Sequence, residues 1–165
     1  MLIVALLNLP EPTASAGTPR SLVSFVEQWT VEAGSELHWP PSAVVLATYL
    51  VKPHYDYLPE ATSRLGFGLT GGLVARSSES RSYATADVFM TYGNIEPGVW
   101  LRFDGGVTAL VHGFGSSEDW QLAPMAALGL GYSKLFLRLR AVISSNAAVV
   151  DGRAYALMFG WVWDS

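Results

Sequence analysis

From residue 64 onward, apolar and polar side chains alternate along the chain with a period of two, the signature of strands whose two faces meet different surroundings. The pattern predicts strands near 64–76, 81–92, 98–113, 122–132, 134–144 and 153–163. Turn-forming residues separate them: Ser77-Ser78-Glu79-Ser80, Gly93-Asn94-Ile95-Glu96-Pro97-Gly98, Gly115-Ser116-Ser117, Ser133 and Asp151-Gly152. One face carries residues such as Leu65, Phe67, Leu69, Val88, Met90, Leu101, Phe103, Leu128, Leu130, Leu135, Leu137 and Leu139, ending in Tyr155, Leu157, Phe159, Trp161 and Trp163. No charge interrupts it. The other face holds Arg76, Asp87, Arg102, Asp104, Arg138 and Arg140 with Thr70, Thr85, Thr91, Thr108 and His112, and strand ends add Arg64, Arg81 and Lys134. Two of these pairings need no choice of register, because Arg102/Asp104 and Arg138/Arg140 share a face by spacing alone.

Which face points outward follows from the quality of the polar one. It is rich in glycine (Gly66, Gly68, Gly72, Gly106, Gly129, Gly131, Gly160), and in the final strand it offers only Ala154, Ala156, Met158, Gly160 and Val162. Such a surface suits a narrow lumen better than water. Turning the barrel inside out puts small residues and a few opposite charges inside and the bulky apolar list against lipid. Each strand also has the length of about 9–11 residues that a tilted membrane strand needs. The rival arrangement is a soluble, lipocalin-like ligand-binding barrel with the apolar list as its core.

Six strands cannot close in lipid, since an open edge leaves backbone groups unpaired. Residues 43–51, AVVLATYLV, supply a seventh strand between Pro40-Pro41-Ser42 and Lys52-Pro53. Residues 21–33 supply an eighth, with Val23, Phe25, Trp29 and Val31 alternating against Ser24, Gln28 and Thr30. The alternative for that segment is a surface helix, Leu22–Trp29, capped by Ser21. The stretch 53–63, PHYDYLPEATS, reads as a long connection. The expected fold is therefore all-β: a closed, antiparallel, up-and-down transmembrane β-barrel of about eight strands.

Composition sharpens this picture. The chain has 165 residues, half of them hydrophobic and only 15% charged, with a mean hydropathy of +0.29. Lys52 and Lys134 are its only lysines, unlike a water-facing surface. A net charge of −4 argues against nucleic-acid partners. The absence of cysteine removes disulfides, thiolate metal sites and cysteine nucleophiles. Residues 1–16 read as a secretory signal: the apolar run Leu2–Leu9 precedes Ala14-Ser15-Ala16, with cleavage expected after Ala16, although no basic residue leads the run. Residues 17–165 then form one barrel domain.

Candidate chemistry is sparse. Asp87, Arg102, Asp104, Arg138 and Arg140 share the lumenal face, where unpaired charges are costly, so they are expected to neutralise one another in a network rather than line a pore. His38 and His54 stand at no metal-ligand spacing, and neither metal nor cofactor is expected. His112, beside the 114–119 loop, is the one histidine placed to act. The alternating Tyr155-x-Leu157-x-Phe159-x-Trp161-x-Trp163 resembles the terminal strand of outer-membrane barrels, although Asp164-Ser165 follow it; an interfacial aromatic girdle would use the same residues.

The stretch RLRAVISSNA at 138–147, followed by Asp151-Gly152 and the Tyr155/Leu157 strand, resembles the last two strands of the lipid A 3-O-deacylase (PagL-like) family, as LRFDGGVTAL at 101–110 does in part. That family consists of eight-stranded outer-membrane barrels with the pattern R-A-x-H-x-S-N-A. The resemblance places the family's serine on Ser145 and the adjacent asparagine on Asn146. Its catalytic histidine falls on Ile143 and its acid on Arg153–Ala154, which leaves Ser145 without a base. A fainter likeness to the lipid A palmitoyltransferase (PagP-like) barrels rests on HYDYLP at 54–59 and on Trp120 through Pro124. The resulting expectation is a monomeric bacterial outer-membrane barrel, structural or lipid-contacting and not catalytic. Membrane lipid, including lipopolysaccharide, is its expected partner. The alternatives are a lipid A-modifying acyl hydrolase or acyltransferase, with Ser145, Asn146 and His112 as its candidates, and the soluble barrel.

Overall fold

Eight strands run up and down and close on themselves in sequence order in the computed structural model. They are β1 (Val23–Glu36), β2 (Ser42–Tyr55), β3 (Leu65–Ala75), β4 (Tyr83–Tyr92), β5 (Val99–Val111), β6 (Trp120–Tyr132), β7 (Leu135–Ile143) and β8 (Arg153–Asp164). The structure describes residues 23–37, 42–55, 64–76, 82–93, 98–112, 120–144 and 152–164. The expected signal segment, His38, Arg81, Ser145 and Asn146 lie outside them. Every neighbouring pair is antiparallel, and β1 closes the sheet against β8 from Gln28↔Asp164 to Glu36↔Ala156. Closure leaves no open edge, which a sheet in hydrocarbon requires. We call the end where β1 starts and β8 finishes the near end, and the other the far end.

The six strands expected after residue 64 are present within a few residues of their predicted limits. Residues 21–33 belong to a strand, not a capped surface helix: β1 runs on to Glu36 and pairs on both sides. A helix there would have split the closing ladder. β2 continues through Lys52, Pro53 and His54, residues read as the start of a connection, because β1 offers partners as far as Val23↔Tyr55. Proline lacks an amide hydrogen and suits a strand margin. Pro53 sits where the β2–β3 ladder has already ended, at Val51↔Phe67.

Side chains alternate strictly between exposed and buried along β6, and nearly so along β3, β4, β5 and β7. The exposed set is apolar: Phe67 is 64% exposed, Val88 64%, Leu130 54% and Phe159 55%. The buried set includes Glu32, Asp87, Arg102, Asp104, Arg138 and Arg140. The barrel is thus inverted relative to a water-soluble one. Glycines make room for the large groups inside: a β-carbon on Gly68 would strike the Phe89 ring, one on Gly131 the Trp100 ring, and one on Gly160 the Phe136 ring.

Candidate functional site in the barrel lumen

The alternation that sends leucines outward sends charges into the lumen, where geometry decides whether they are tolerable. At mid-height, Arg138 of β7 reaches β1: its Nη1 donates to Glu32 Oε1 at 2.9 Å and to Oε2 at 3.2 Å. Its Nη2 lies 2.8 Å from Asp104 Oδ2 on β5, an ion-pair contact. Arg102 Nη2 donates to the same Asp104 oxygen at 3.0 Å. Thr30 and Thr48 add hydroxyl donors to Glu32 at 3.3 and 3.2 Å. Phe89 and Phe136 present ring faces to Arg138 and Arg102, at 5.6 and 5.9 Å, within cation–π range. Arg102 and Arg138 are 1% and 0% exposed. Charges so deeply buried persist only when paired and hydrogen-bonded.

A second group lies closer to the far end. Arg140 Nε and Nη2 donate to the two oxygens of Asp87 at 3.1 and 2.7 Å, and Nη2 also reaches the Thr85 and Thr108 hydroxyls at 2.9 and 3.0 Å. The bidentate fork matches the carboxylate plane. This ties β7 to β4 and β5 across the lumen. At the far mouth, Glu36 accepts from Arg76 Nε and Nη2 (2.8 and 3.1 Å), Tyr83 (2.6 Å) and Ser42 (2.9 Å). Between the clusters the lumen is apolar, with Leu46, Leu110, Met125, Val142 and Met158 buried together. At the near end, the Lys52 ammonium donates to the Gly93 carbonyl.

The five charges expected on the lumenal face are all there, in two ion-paired groups rather than one: Arg102, Asp104 and Arg138 around Glu32, and Asp87 with Arg140. Sequence reasoning missed Glu32, Glu36 and Lys52 as lumenal charges. The signal was present for both: Glu32 and Glu36 continue the parity of Ser24, Gln28 and Thr30, Glu32 within the expected strand and Glu36 beyond its limit at residue 33. Arg64 and Lys134 were placed on the lumenal face; instead both side chains are exposed, because the strands end there. His112 lies at the far mouth, its Nδ1 2.6 Å from the Ser82 carbonyl oxygen. β6 stands between the strand leading to His112 and β7, which ends before Ser145. No group of three or more His, Asp or Glu able to hold a metal occurs among the described residues.

On the outside, aromatic side chains gather toward the near end. Trp29 packs on Tyr49 with ring centroids 4.6 Å apart and pairs with Trp163, while Tyr92, Tyr132 and Trp161 continue the band around the barrel. Trp120 and Tyr155 mark the far end. An apolar belt between aromatic girdles is the outer surface of a membrane barrel. A known structure agrees. The Neisserial surface protein A (NspA) is similar over 87% of this chain and 99% of its own, at 12% identity and a TM-score of 0.55. The fold is that of the small outer-membrane barrels. A second solved chain, the N-terminal β-barrel domain of Pseudomonas aeruginosa OprF, matches over 82% of this chain and 97% of its own, at 14% identity and a TM-score of 0.46. No family model and no curated protein sequence matches this chain. The alternation that such a barrel demands, apolar side chains outside and small or paired polar ones inside, runs along β3 to β7.

Proposed function

We propose that the protein resides in a bacterial outer membrane as a plugged barrel whose work is structural and lipid-contacting rather than catalytic or conducting. One observation carries this reading: bulky apolar side chains cover the outside, while Glu32, Asp87, Asp104, Arg102, Arg138 and Arg140 are buried inside. In water that exposed surface would aggregate; in lipid it is the favourable one. Residues 1–16, as an export signal, fit the same destination. Against a conducting pore stand the Glu32–Arg138–Asp104 and Asp87–Arg140 ties, which cross the lumen at two heights. Against a soluble ligand-binding barrel stands a lumen whose mid-height is ionic.

The likeness to the lipid A 3-O-deacylases supports the barrel and the envelope setting, but not that activity. Ile143 stands where the family has its histidine, and His112 is engaged with a backbone carbonyl two strands from β7. A serine without a base within hydrogen-bond reach is a poor nucleophile. Membrane fractionation, then gel mobility with and without boiling, tests the reading. A closed membrane barrel sediments with the outer membrane and changes mobility when boiled. A protein that stays soluble and shows no shift is not this barrel. Release of fatty acid from lipid A by the purified protein, abolished by Ser145→Ala, would make it an enzyme.

A further inference from the structure

Outside the barrel at the near end, a cavity of about 280 Å³ opens between the start of β3 and the β4–β5 junction, lined by Arg64, Tyr92, Gly93, Val99, Leu101 and Phe103. Its backbone is held closely. Gly93 N donates to the Arg64 carbonyl at 2.8 Å, with Gly93 at a φ of 127° that favours glycine. The Arg64 side chain is exposed and forms no ion pair with any described residue. In this it differs from Arg76, Arg102, Arg138 and Arg140, each of which has a carboxylate partner inside. Around it the surface is apolar and aromatic: Val99, Leu101, Phe103 and Tyr92 are 76%, 45%, 50% and 49% exposed. Tyr132 lies directly across from Val99 on β6.

We propose that this cavity binds one membrane glycerophospholipid by its phosphate. The Arg64 guanidinium donates to two phosphate oxygens, and the acyl chains lie along Leu101 and Phe103 toward mid-barrel. The inference rests on the outer-membrane reading above. Charge selects the ligand's head: an unpaired cation that lines a cavity at the level of the near-end aromatic girdle sits where phospholipid phosphates lie, and the planar fork suits a phosphate diester. The apolar wall selects its tail, which inorganic phosphate lacks.

The test uses the full barrel, first shown to be inserted and heat-modifiable in nanodiscs of phosphatidylglycerol and phosphatidylcholine, then released into native mass spectrometry. Wild type should retain one phospholipid under activation that strips the remainder. Arg64→Gln should lower the retained fraction about tenfold, the scale of one charge-assisted contact, and Arg64→Lys should restore part of it. Arg153→Gln, an exposed arginine at the far end, should change nothing, and millimolar inorganic phosphate should not displace the lipid. Retention equal in wild type and Arg64→Gln overturns the site while leaving the barrel reading intact. So does equal loss in Arg64→Gln and Arg153→Gln. Displacement by inorganic phosphate overturns the lipid as ligand, and a chain that never inserts overturns both readings.

Discussion

At the scale of the residue, position on the alternation decides what a substitution does. Leu139 lies at mid-height on β7, opposite Leu128 and Leu157 and 41% exposed. Leu139→Arg puts a cation against lipid tails, at a cost of about 2–4 kcal/mol near the midplane. Urea unfolding in lipid vesicles measures it, and an unchanged midpoint would show that this face does not meet lipid. The lumenal glycines are subtler. Polarity alone suggests that Gly68→Ala is mild, since the lumen already tolerates polar groups. Packing says otherwise, because the added methyl meets both the Phe89 ring and the Leu50 side chain. Overpacking of this kind costs about 1–3 kcal/mol. Shortening the opposing ring should relieve it, so Gly68→Ala with Phe89→Leu should be more stable than Gly68→Ala alone. Equal losses in the single and double variants would mean that the ring moves aside freely.

At the scale of the element, strands are tied across the lumen as well as to their neighbours. Asp87 on β4 holds Arg140 on β7 through two of the contacts described above, so Asp87→Asn leaves a buried guanidinium poorly compensated. The expected loss is about 3–5 kcal/mol, far above that of Glu79→Gln in the 77–80 connection. Adding Arg140→Met to Asp87→Asn should recover much of the loss, since both charges then leave together. Unfolding midpoints read all four proteins, and equal midpoints for Asp87→Asn and Glu79→Gln would dissolve the tie. Most of this architecture was legible in the sequence, because a period of two fixes which side chains share a face once a strand is recognised. Asp87, Arg102, Asp104, Arg138 and Arg140 were found that way. Partnering was not legible: parity places Arg138 inside but says nothing of β1, which touches it only because the barrel closes. Glu32 and Glu36 escaped because β1 shows a weaker alternation, with Glu27 on its apolar face. Arg64 was misassigned because parity loses its meaning where a strand stops.

At the scale of the whole molecule, closure and filling are two separate properties with separate consequences. Closure satisfies the backbone, leaving no unpaired strand edge to meet hydrocarbon. Filling determines what can pass through. Lumenal side chains from β1, β4, β5 and β7 converge at mid-height, Arg102 and Arg138 almost wholly shielded from solvent with Phe89 and Phe136 packed on their planes. An ion crossing there must displace a guanidinium from its carboxylate, and breaking a buried pair of this kind costs about 3–5 kcal/mol per partner lost. The wild-type barrel should therefore give no resolved current steps in a planar bilayer at moderate voltage. Removing the plug while leaving the wall should change this. Arg102→Ala with Arg138→Ala deletes the two largest wholly buried side chains and leaves Glu32 and Asp104 facing an emptied mid-section. That variant, if still heat-modifiable, should pass cations in preference to anions, because the charges left behind are carboxylates. Conduction by the wild type, or an anion preference in the double variant, would mean that these arginines do not fill the path.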